Sequence, residues 1–404
     1  MLSRPDSIPD PFSVPANEYA AACAAAGMRG GEPGALERYR ALFRRGETRQ
    51  PLLDVELPPV LRVQESESDE GAVRKFLLPL GPARAGVYAR EDLSEAGPGA
   101  TMTTETVVIP MIGKKRILTH TLCVSSQVGC AMGCGFCQTA QMGLLRDLTA
   151  EEIVAQWFVA RHVLGVATIT NVVFMGMGEP MDNLGEVVRA IAVLSDHSGP
   201  CLPMSKITVS TVGRVDGIRK LAEQVHKPGW HRLNLAVSLN APSDEIRATI
   251  MPINKRYSMG ELRSALEAWP IYGAAKLCLE YVLIPGVNDR PEHAAELADY
   301  VLGRGGYAGR PALPGLVNLI PYNPREDSPW PAPEEASVDA FVAMLTAAGV
   351  YTKRRRTKGR DTMAACGQLG SLELRRKKGT GAGAGVGGAL GAGVDVGLSI
   401  SARA

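Results

Sequence analysis

The sequence predicts an α/β protein: a partial (β/α)6 barrel with an N-terminal accessory region and a short C-terminal extension. Two observations carry this. From residue 118 onward, short β-branched apolar runs alternate with helical patterns, the signature of parallel β/α units. Six such runs fill about 200 residues, whereas a complete eight-stranded barrel takes roughly 250.

Taken in order, the first 30 residues are rich in Pro and Ala. YAAACAAAGM at 19–28 reads as an Ala-rich helix, far short of the roughly 20 apolar residues of a membrane span. LERYRALFRRG at 36–46 puts Leu36, Tyr39, Leu42 and Phe43 on one helical face. From 51 to 112 the texture is extended: PLLDVELPPVLRVQ, VRKFLLPL, AGVYAR and ETVVIPMI, cut by Pro and Gly. ESESDEG at 65–71 reads as an acidic turn with no chemistry of its own.

The six strand candidates are LTHTLCVSS, NVVFMGM, KITVSTV, LNLAVSL, KLCLEYVLI and LVNLIPY. Between them lie the helical patterns TAEEIVAQWFVARHVLG, NLGEVVRAIAVLSDH, DGIRKLAEQVH, DEIRATI with MGELRSALEAW, and PEHAAELADYVLG. Thr149 heads a T-x-x-E box and Ser243 precedes Asp244 and Glu245, both helix-start signals. After SVDAFVAMLTAAG, residues 353–360 hold six basic side chains in eight, and RRKK follows at 375–378. The tail from Gly379 is Gly/Ala-rich low complexity, of the kind expected to be disordered. The expected organisation is an accessory region at 1–104, a catalytic core at 105–370 and a tail at 371–404.

The chain has 404 residues, 45% of them hydrophobic, enough to bury a core without disulfides. Lys+Arg number 44 against 42 Asp+Glu, a formal charge of +2, which excludes a generally basic nucleic-acid coat. Aromatics at 5% argue against a surface that stacks many bases. The start, MLSRPDSIPDPF, lacks the apolar stretch of a signal peptide, so a cytoplasmic location without membrane contact is expected.

The strongest chemical signal is CAMGCGFC, which sets Cys130, Cys134 and Cys137 in a C-x3-C-x2-C triplet just after the first barrel strand. In β/α barrels, chemistry gathers at that end of the strands. Thiolates select zinc or iron–sulfur clusters. Structural zinc wants four ligands and usually a second paired motif, which the six His do not supply, though Cys123 could be a fourth ligand. A four-iron cluster normally takes four Cys, so three would leave one iron open. FMGMGEP, Phe174 to Pro180, ends the second strand and does not fit G-x-G-x-x-G. VSTVG, VSLNAP and LIPYNP bring further polar groups to other strand ends, although such residues are often only turn formers.

ETVVIP, LCVSSQVGCAMGCGFCQTAQMG, FMGMGEPMDN, ITVSTVG, VSLNAPSDEIR, MPINKRY, VNLIPYNP and TKGRDTMAACGQL together resemble the RlmN/Cfr family, and RlmN more closely. Members are radical S-adenosylmethionine enzymes that methylate adenine in RNA. The resemblance covers residues 105 to 370 in family order. It implies that Cys130, Cys134 and Cys137 hold a [4Fe-4S] cluster whose open iron binds S-adenosylmethionine. Gly178, Glu179, Ser210, Ser238, Leu239, Asn240 and Asn323 would bind that cofactor. Cys366 would carry the methyl group, Cys123 would form a transient disulfide with it, and Glu105 would accept the proton. An RNA substrate and an electron donor such as flavodoxin or ferredoxin are implied as partners.

The chemistry is coherent. Carbons 2 and 8 of adenine are electron-poor and do not attack a methyl sulfonium, whereas a carbon radical can add to them. A thiolate is a competent nucleophile toward the sulfonium. The basic run at 353–360 is expected to lower the Cys366 pKa and to contact RNA phosphate. Cys23, Cys201 and Cys278 match no motif and are expected to be small apolar fillers. Asn240 stands where many relatives carry His, and the Glu105–Cys123 and EQVHKPGWHR segments are longer than in typical members. The expected target is carbon 2 of an adenine in 23S rRNA, with tRNA as a second substrate. Carbon 8 or another RNA is the sister reading, and a zinc-stabilised, non-catalytic RNA-binding module is the alternative of another class.

Overall fold

The computed structural model describes residues 7–50, 53–82, 88, 102–113, 116–273, 275–325, 327–356, 358–359 and 363–370. Most of the AGVYAR run and the whole tail after 370 lie outside the described residues. The strands are β1 Arg49–Gln50, β2 Leu53–Asp54, β3 Arg62–Ser66, β4 Val73–Pro79, β5 Thr103–Ile112, β6 Leu118–Cys123 and β7 Gln127–Gly129. They continue as β8 Leu144–Asp147, β9 Ile169–Phe174, β10 Ile207–Thr211, β11 Asn234–Ser238, β12 Leu277–Leu283, β13 Gly315–Pro321 and β14 Thr352–Arg354.

Ten of them form one sheet in the order β14-β13-β12-β11-β10-β9-β6-β5-β4-β3. β6 and β9 to β14 are all parallel, and β3, β4 and β5 extend the sheet antiparallel beyond β6. The six predicted barrel strands are β6 and β9 to β13, a mostly parallel sheet wound with helices, as the sequence predicts. β14, a seventh parallel strand, lies at the start of the basic run, where the sequence predicts none. β11 is buried along four of its five residues, the pattern of a strand covered on both faces.

The helices are α1 Ala16–Ala25, α2 Gly31–Arg40, α3 Gln138–Gln141, α4 Ala150–Phe158, α5 Leu184–Ser195, α6 Val215–Val225, α7 Asp244–Ile250, α8 Met259–Glu267, α9 Pro291–Leu302 and α10 Glu335–Ala347. α4 starts with the predicted capping box, the Thr149 side chain accepting from Glu152 N and the Glu152 carboxylate from Thr149 N. Ser243 occupies the cap position of α7 but makes no side-chain capping bond. A second box, Ser258 with Glu261, starts α8 and escaped the sequence reading. No described helix is long and apolar enough to cross a membrane.

The N-terminal segment joins the barrel core. Phe12, Tyr39 and Phe43 are buried with Trp157 and Phe158 in one apolar cluster. The ring of Phe12 lies 5.3 Å from that of Phe43 and 5.0 Å from that of Phe158. His162 Nε2 bonds Phe43 O at 2.9 Å, and Ala16 N donates to Asp196 Oδ2 at 2.9 Å. β5 runs across the boundary drawn at residues 104 and 105. The acidic turn at 65–71 leads out of β3 and does carry contacts: Glu70 Oε2 accepts from Ile112 N at 2.7 Å and pairs with Lys358 at 3.0 Å.

Because the aromatic cluster is shared, Phe12→Ala should cost about 3–5 kcal/mol. Urea unfolding followed by both Trp fluorescence and far-UV circular dichroism should give one transition at a lower midpoint. Two separated transitions would show that the N-terminal helices fold independently of the barrel.

Candidate active site

Two cavities meet at the C-terminal ends of the barrel strands. The first, about 150 Å³, is lined by Cys130, Cys134 and Cys137 on one side and by Gly178, Glu179, Ser210, Ser238, Asn240 and Asn323 on the other. The second, about 450 Å³, opens between the β13–β14 and β5–β6 sides of the sheet and is lined by Cys123, Thr121, Ile109, Arg354, Arg356 and Lys358. Cys366, Arg355, Glu280 and Asn323 line both.

The cluster loop is built on glycine. Gly129 has φ 73°, and a Cβ there would stand 1.9 Å from Gly143 O. Cys130 N donates to Gly143 O at 3.0 Å, and Gly135 N donates to Ile250 O at 2.9 Å. Arg325 Nε donates to Gly135 O at 3.0 Å. Burial pushes all three thiols above their ordinary pKa, and the fields of Arg247 at Cys134 and Arg325 at Cys137 offset only part of that. Among the described residues no group of three or more His, Cys, Asp or Glu stands close enough to hold a single metal ion. Cys123 lies on β6 against the second cavity, apart from the triplet. Three thiols of one loop line a single cavity, the ligand number that leaves a four-iron cluster one open iron; Cys366, which lines the same cavity, comes from a separate segment.

Opposite the triplet, Glu179 is 1% exposed. Its Oε2 accepts from Val212 N at 2.8 Å and its Oε1 from Met181 N at 3.1 Å. Burial nevertheless raises its pKa to about 7, so this carboxylate is poised for a cation. Gly178 has φ 102°, and a Cβ there would press to 2.6 Å from Gln127 Cβ. Gln127 Oε1 accepts from Glu179 N at 2.8 Å while its Nε2 donates to Asp147 Oδ1 at 2.7 Å. Asn240, at φ 55°, lines the cavity, but its Oδ1 already accepts from Val282 N at 2.9 Å. Leu239 does not line either cavity; it is fully buried in the apolar core, so any cofactor contact is confined to its backbone.

Arg247, wholly buried, escaped the sequence reading although it ends the quoted VSLNAPSDEIR motif. It donates to Leu239 O at 3.0 Å, Val212 O at 2.6 Å and Ser238 O at 3.1 Å, tying the ends of β10 and β11 together. Ser125 and Gln156 form a second such node: Ser125 N donates to Gln156 Oε1, and Gln156 Nε2 to Ser125 O.

The Cys366 segment is docked directly on the cluster loop. Gln138 N donates to Gly367 O at 2.7 Å, and Thr139 Oγ1 donates to Leu369 O at 2.5 Å. Burial raises the Cys366 pKa, and the field of Arg355 offsets only part of that. The basic run, through Arg355, does act downward on Cys366 as expected, but desolvation exceeds that attraction at this depth. Cys123 is pushed up to about 12, chiefly by burial, with Cys366 close enough to add to the effect. Both are free thiols, so no disulfide joins them in this state. Glu105 is buried on β5 and lines neither cavity; Ser125 Oγ donates to its backbone O at 2.6 Å. Of the cysteines expected to be fillers, Cys23 is core, Cys201 is exposed, and Cys278 donates to Glu280 Oε1 at 3.3 Å.

Such a site on an open β/α barrel defines the radical S-adenosylmethionine class, and residues 124–298 match the model of the radical SAM superfamily. The solved radical SAM methyltransferase of Sphaerobacter thermophilus superposes with TM-score 0.69 at 34% identity, over 88% of this chain and 98% of that one. The "Probable dual-specificity RNA methyltransferase RlmN 1" of Protochlamydia amoebophila is 46% identical over 64% of this chain and 68% of its own length. The "Dual-specificity RNA methyltransferase RlmN" of Lawsonia intracellularis is 38% identical over 81% of this chain and 83% of its own. The chain belongs to the RlmN family of radical SAM RNA methyltransferases, enzymes that use a [4Fe-4S] cluster and S-adenosylmethionine.

Gly178→Ala should weaken S-adenosylmethionine binding by about tenfold or more, since only about 1.4 kcal/mol of distortion suffices. Equilibrium dialysis of the cluster-loaded protein measures this, with circular dichroism expected to match the parent.

Proposed function

We propose that this protein methylates carbon 2 of an adenine in 23S rRNA, and of a tRNA adenine as second substrate, through a methyl group carried on Cys366. The observation that carries the reading is the position of Cys366 on the wall shared by the cofactor cavity and the larger second cavity. A carrier thiol has to face the methyl donor on one side and the acceptor base on the other.

Bound cluster and S-adenosylmethionine supply the methyl sulfonium and, after one-electron reduction through flavodoxin or ferredoxin, a carbon-centred radical. Cys130, Cys134 and Cys137 hold the cluster. Gly178, Glu179, Ser210, Ser238, Asn240 and Asn323 form the opposing wall against which the cofactor is oriented, with the Glu179 carboxylate toward its ammonium. Cys366 is the nucleophile, and Arg355 beside it favours the thiolate. On the rim of the second cavity Arg354 is paired with Glu335 and Asp339 and Lys358 with Glu70, while Arg356 is exposed; RNA phosphate would meet Arg356 first, with affinity that falls as salt rises. The target adenine must leave its stack to reach Cys366, at a cost of a few kcal/mol. Glu105 takes the proton released from the ring. With the carried carbon joined to the ring and one electron returned to the electron-transfer partner, Cys123 attacks the Cys366 sulfur: the sulfur–sulfur bond forms, the sulfur–carbon bond breaks with its electron pair on carbon, that carbon takes up a proton to become the methyl group, and the methylated RNA leaves.

Mass mapping of methyladenosine in RNA from a deletion strain tests the assignment. Loss of 2-methyladenosine from 23S rRNA is expected; loss of 8-methyladenosine instead would move the reaction to carbon 8. Two variants separate the cysteine roles. Cys134→Ala should lose iron and produce no 5′-deoxyadenosine. Cys123→Ala should keep its iron and accumulate a covalent protein–RNA adduct, seen as an RNase-sensitive mass shift that Cys366→Ala abolishes. An iron-free Cys123→Ala protein would make Cys123 a ligand instead.

A further inference from the structure

We propose that Lys75 is the positioning residue for Glu105, holding its carboxylate in register with the segment that carries Cys366. The register of three antiparallel strands establishes the geometry. Lys75 on β4 stands opposite Val107 on β5, which stands opposite Cys123 on β6. Directly opposed residues share a face of the sheet, and so do residues two apart on one strand. Lys75, Glu105 and Cys123 therefore project to the same side, with Glu105 diagonal to Lys75.

The contacts agree. Lys75 Nζ lies 3.4 Å from Glu105 Oε2, with the side chains 8% and 4% exposed. Glu105 Oε2 is buried and accepts no hydrogen bond. The same Lys75 Nζ donates to Met363 O at 3.3 Å, three residues before Cys366. An ammonium at this depth needs an anion, because an unpaired buried charge costs several kcal/mol. Its second bond reaches a backbone carbonyl of the C-terminal segment, so one cation ties the base to the methyl carrier. At 3.4 Å the pair is close enough to hold the carboxylate and loose enough to leave Oε2 lone pairs open. The Glu105 main chain is held separately: Ser125 Oγ donates to Glu105 O and accepts from Met177 N at 2.9 Å. The base is thus fixed at its backbone from the cofactor loop and at its carboxylate from the Cys366 segment.

The inference rests on the reading of Glu105 as proton acceptor, and the test separates the two. Full-length, cluster-loaded Lys75→Met, Lys75→Arg, Glu105→Gln and the double variant Lys75→Met/Glu105→Gln are compared on a transcript of the 23S rRNA peptidyl-transferase region. Lys75→Met is expected to cleave S-adenosylmethionine and to carry the methyl group on the AACGQL peptide as the parent does. Its covalent protein–RNA adduct should rise about tenfold, as in Glu105→Gln. The double variant should be no worse than Glu105→Gln, because both changes remove one function. It also removes both buried charges, which keeps the comparison available if Lys75→Met alone does not fold. Lys75→Arg, which keeps the cation, should bring the adduct back to within about threefold of the parent. No adduct in Lys75→Met while Glu105→Gln accumulates it overturns the role of Lys75 alone. No adduct in Glu105→Gln overturns the base reading, and the proposal with it. An unmethylated AACGQL peptide in Lys75→Met would make Lys75 a loop anchor and overturn the proposal likewise.

Discussion

Two hydrogen bonds set where the chemistry can happen. Gln138 N to Gly367 O and Thr139 Oγ1 to Leu369 O join the cluster loop to a segment about 230 residues later in the chain. The sheet is open between β14 and β3, so nothing in its ladder fixes the last segment there. Without that docking, Cys366 would hang from a short run beyond β14 with no defined distance to the triplet. With it, the thiol becomes part of the wall between two cavities. Lys358, donating to Pro110 O at 2.7 Å and pairing with Glu70, fixes the near end of the same segment on β5. The open side of the barrel is thus laced by the element that carries the reactive sulfur.

That arrangement explains why polar groups are spent so heavily on backbone. Arg247, Gln127, Ser125 and Gln156 are buried, and each bonds main-chain atoms of strand ends or the loops that follow them. Strand ends at a cavity have carbonyls and amides that no neighbouring strand satisfies. Buried side chains that satisfy them hold the wall of the cavity that Glu179 and Cys366 both line. Glycines at 129 and 178 serve the same end, since any Cβ would collide with the packed loops around them.

The six parallel strands were legible because strands covered on both faces read as continuous β-branched apolar runs. The cysteine triplet was legible because its ligands are local in sequence. β14 was not, because three residues, Thr352 to Arg354, are half-buried or exposed and carry two charges. The docking of the Cys366 segment was invisible for a different reason: its acceptors are backbone carbonyls, which leave no mark on residue identity. The Lys75–Glu105 pair needed the register of β4 on β5, and ETVVIPMI alone does not contain it. The direction of the Cys366 pKa depended on burial, and a count of nearby cations could not supply that.

The electrostatics around Arg355 connect these points to function. Its backbone N donates to Leu319 O at 2.8 Å, and its guanidinium stands 3.9 Å from Glu280 Oε2. Cys366, Cys123 and Cys278 all lie within its field. Burial raises the pKa of each of these thiols. Glu280, held by Asn318 Nδ2 at 3.1 Å, shares the same cation. A thiolate forming at Cys366 therefore meets a positive charge already in place and partly committed elsewhere. The site is arranged so that reactivity appears when a proton leaves Cys366, and Arg355 is the charge that makes this departure less costly than burial alone would allow.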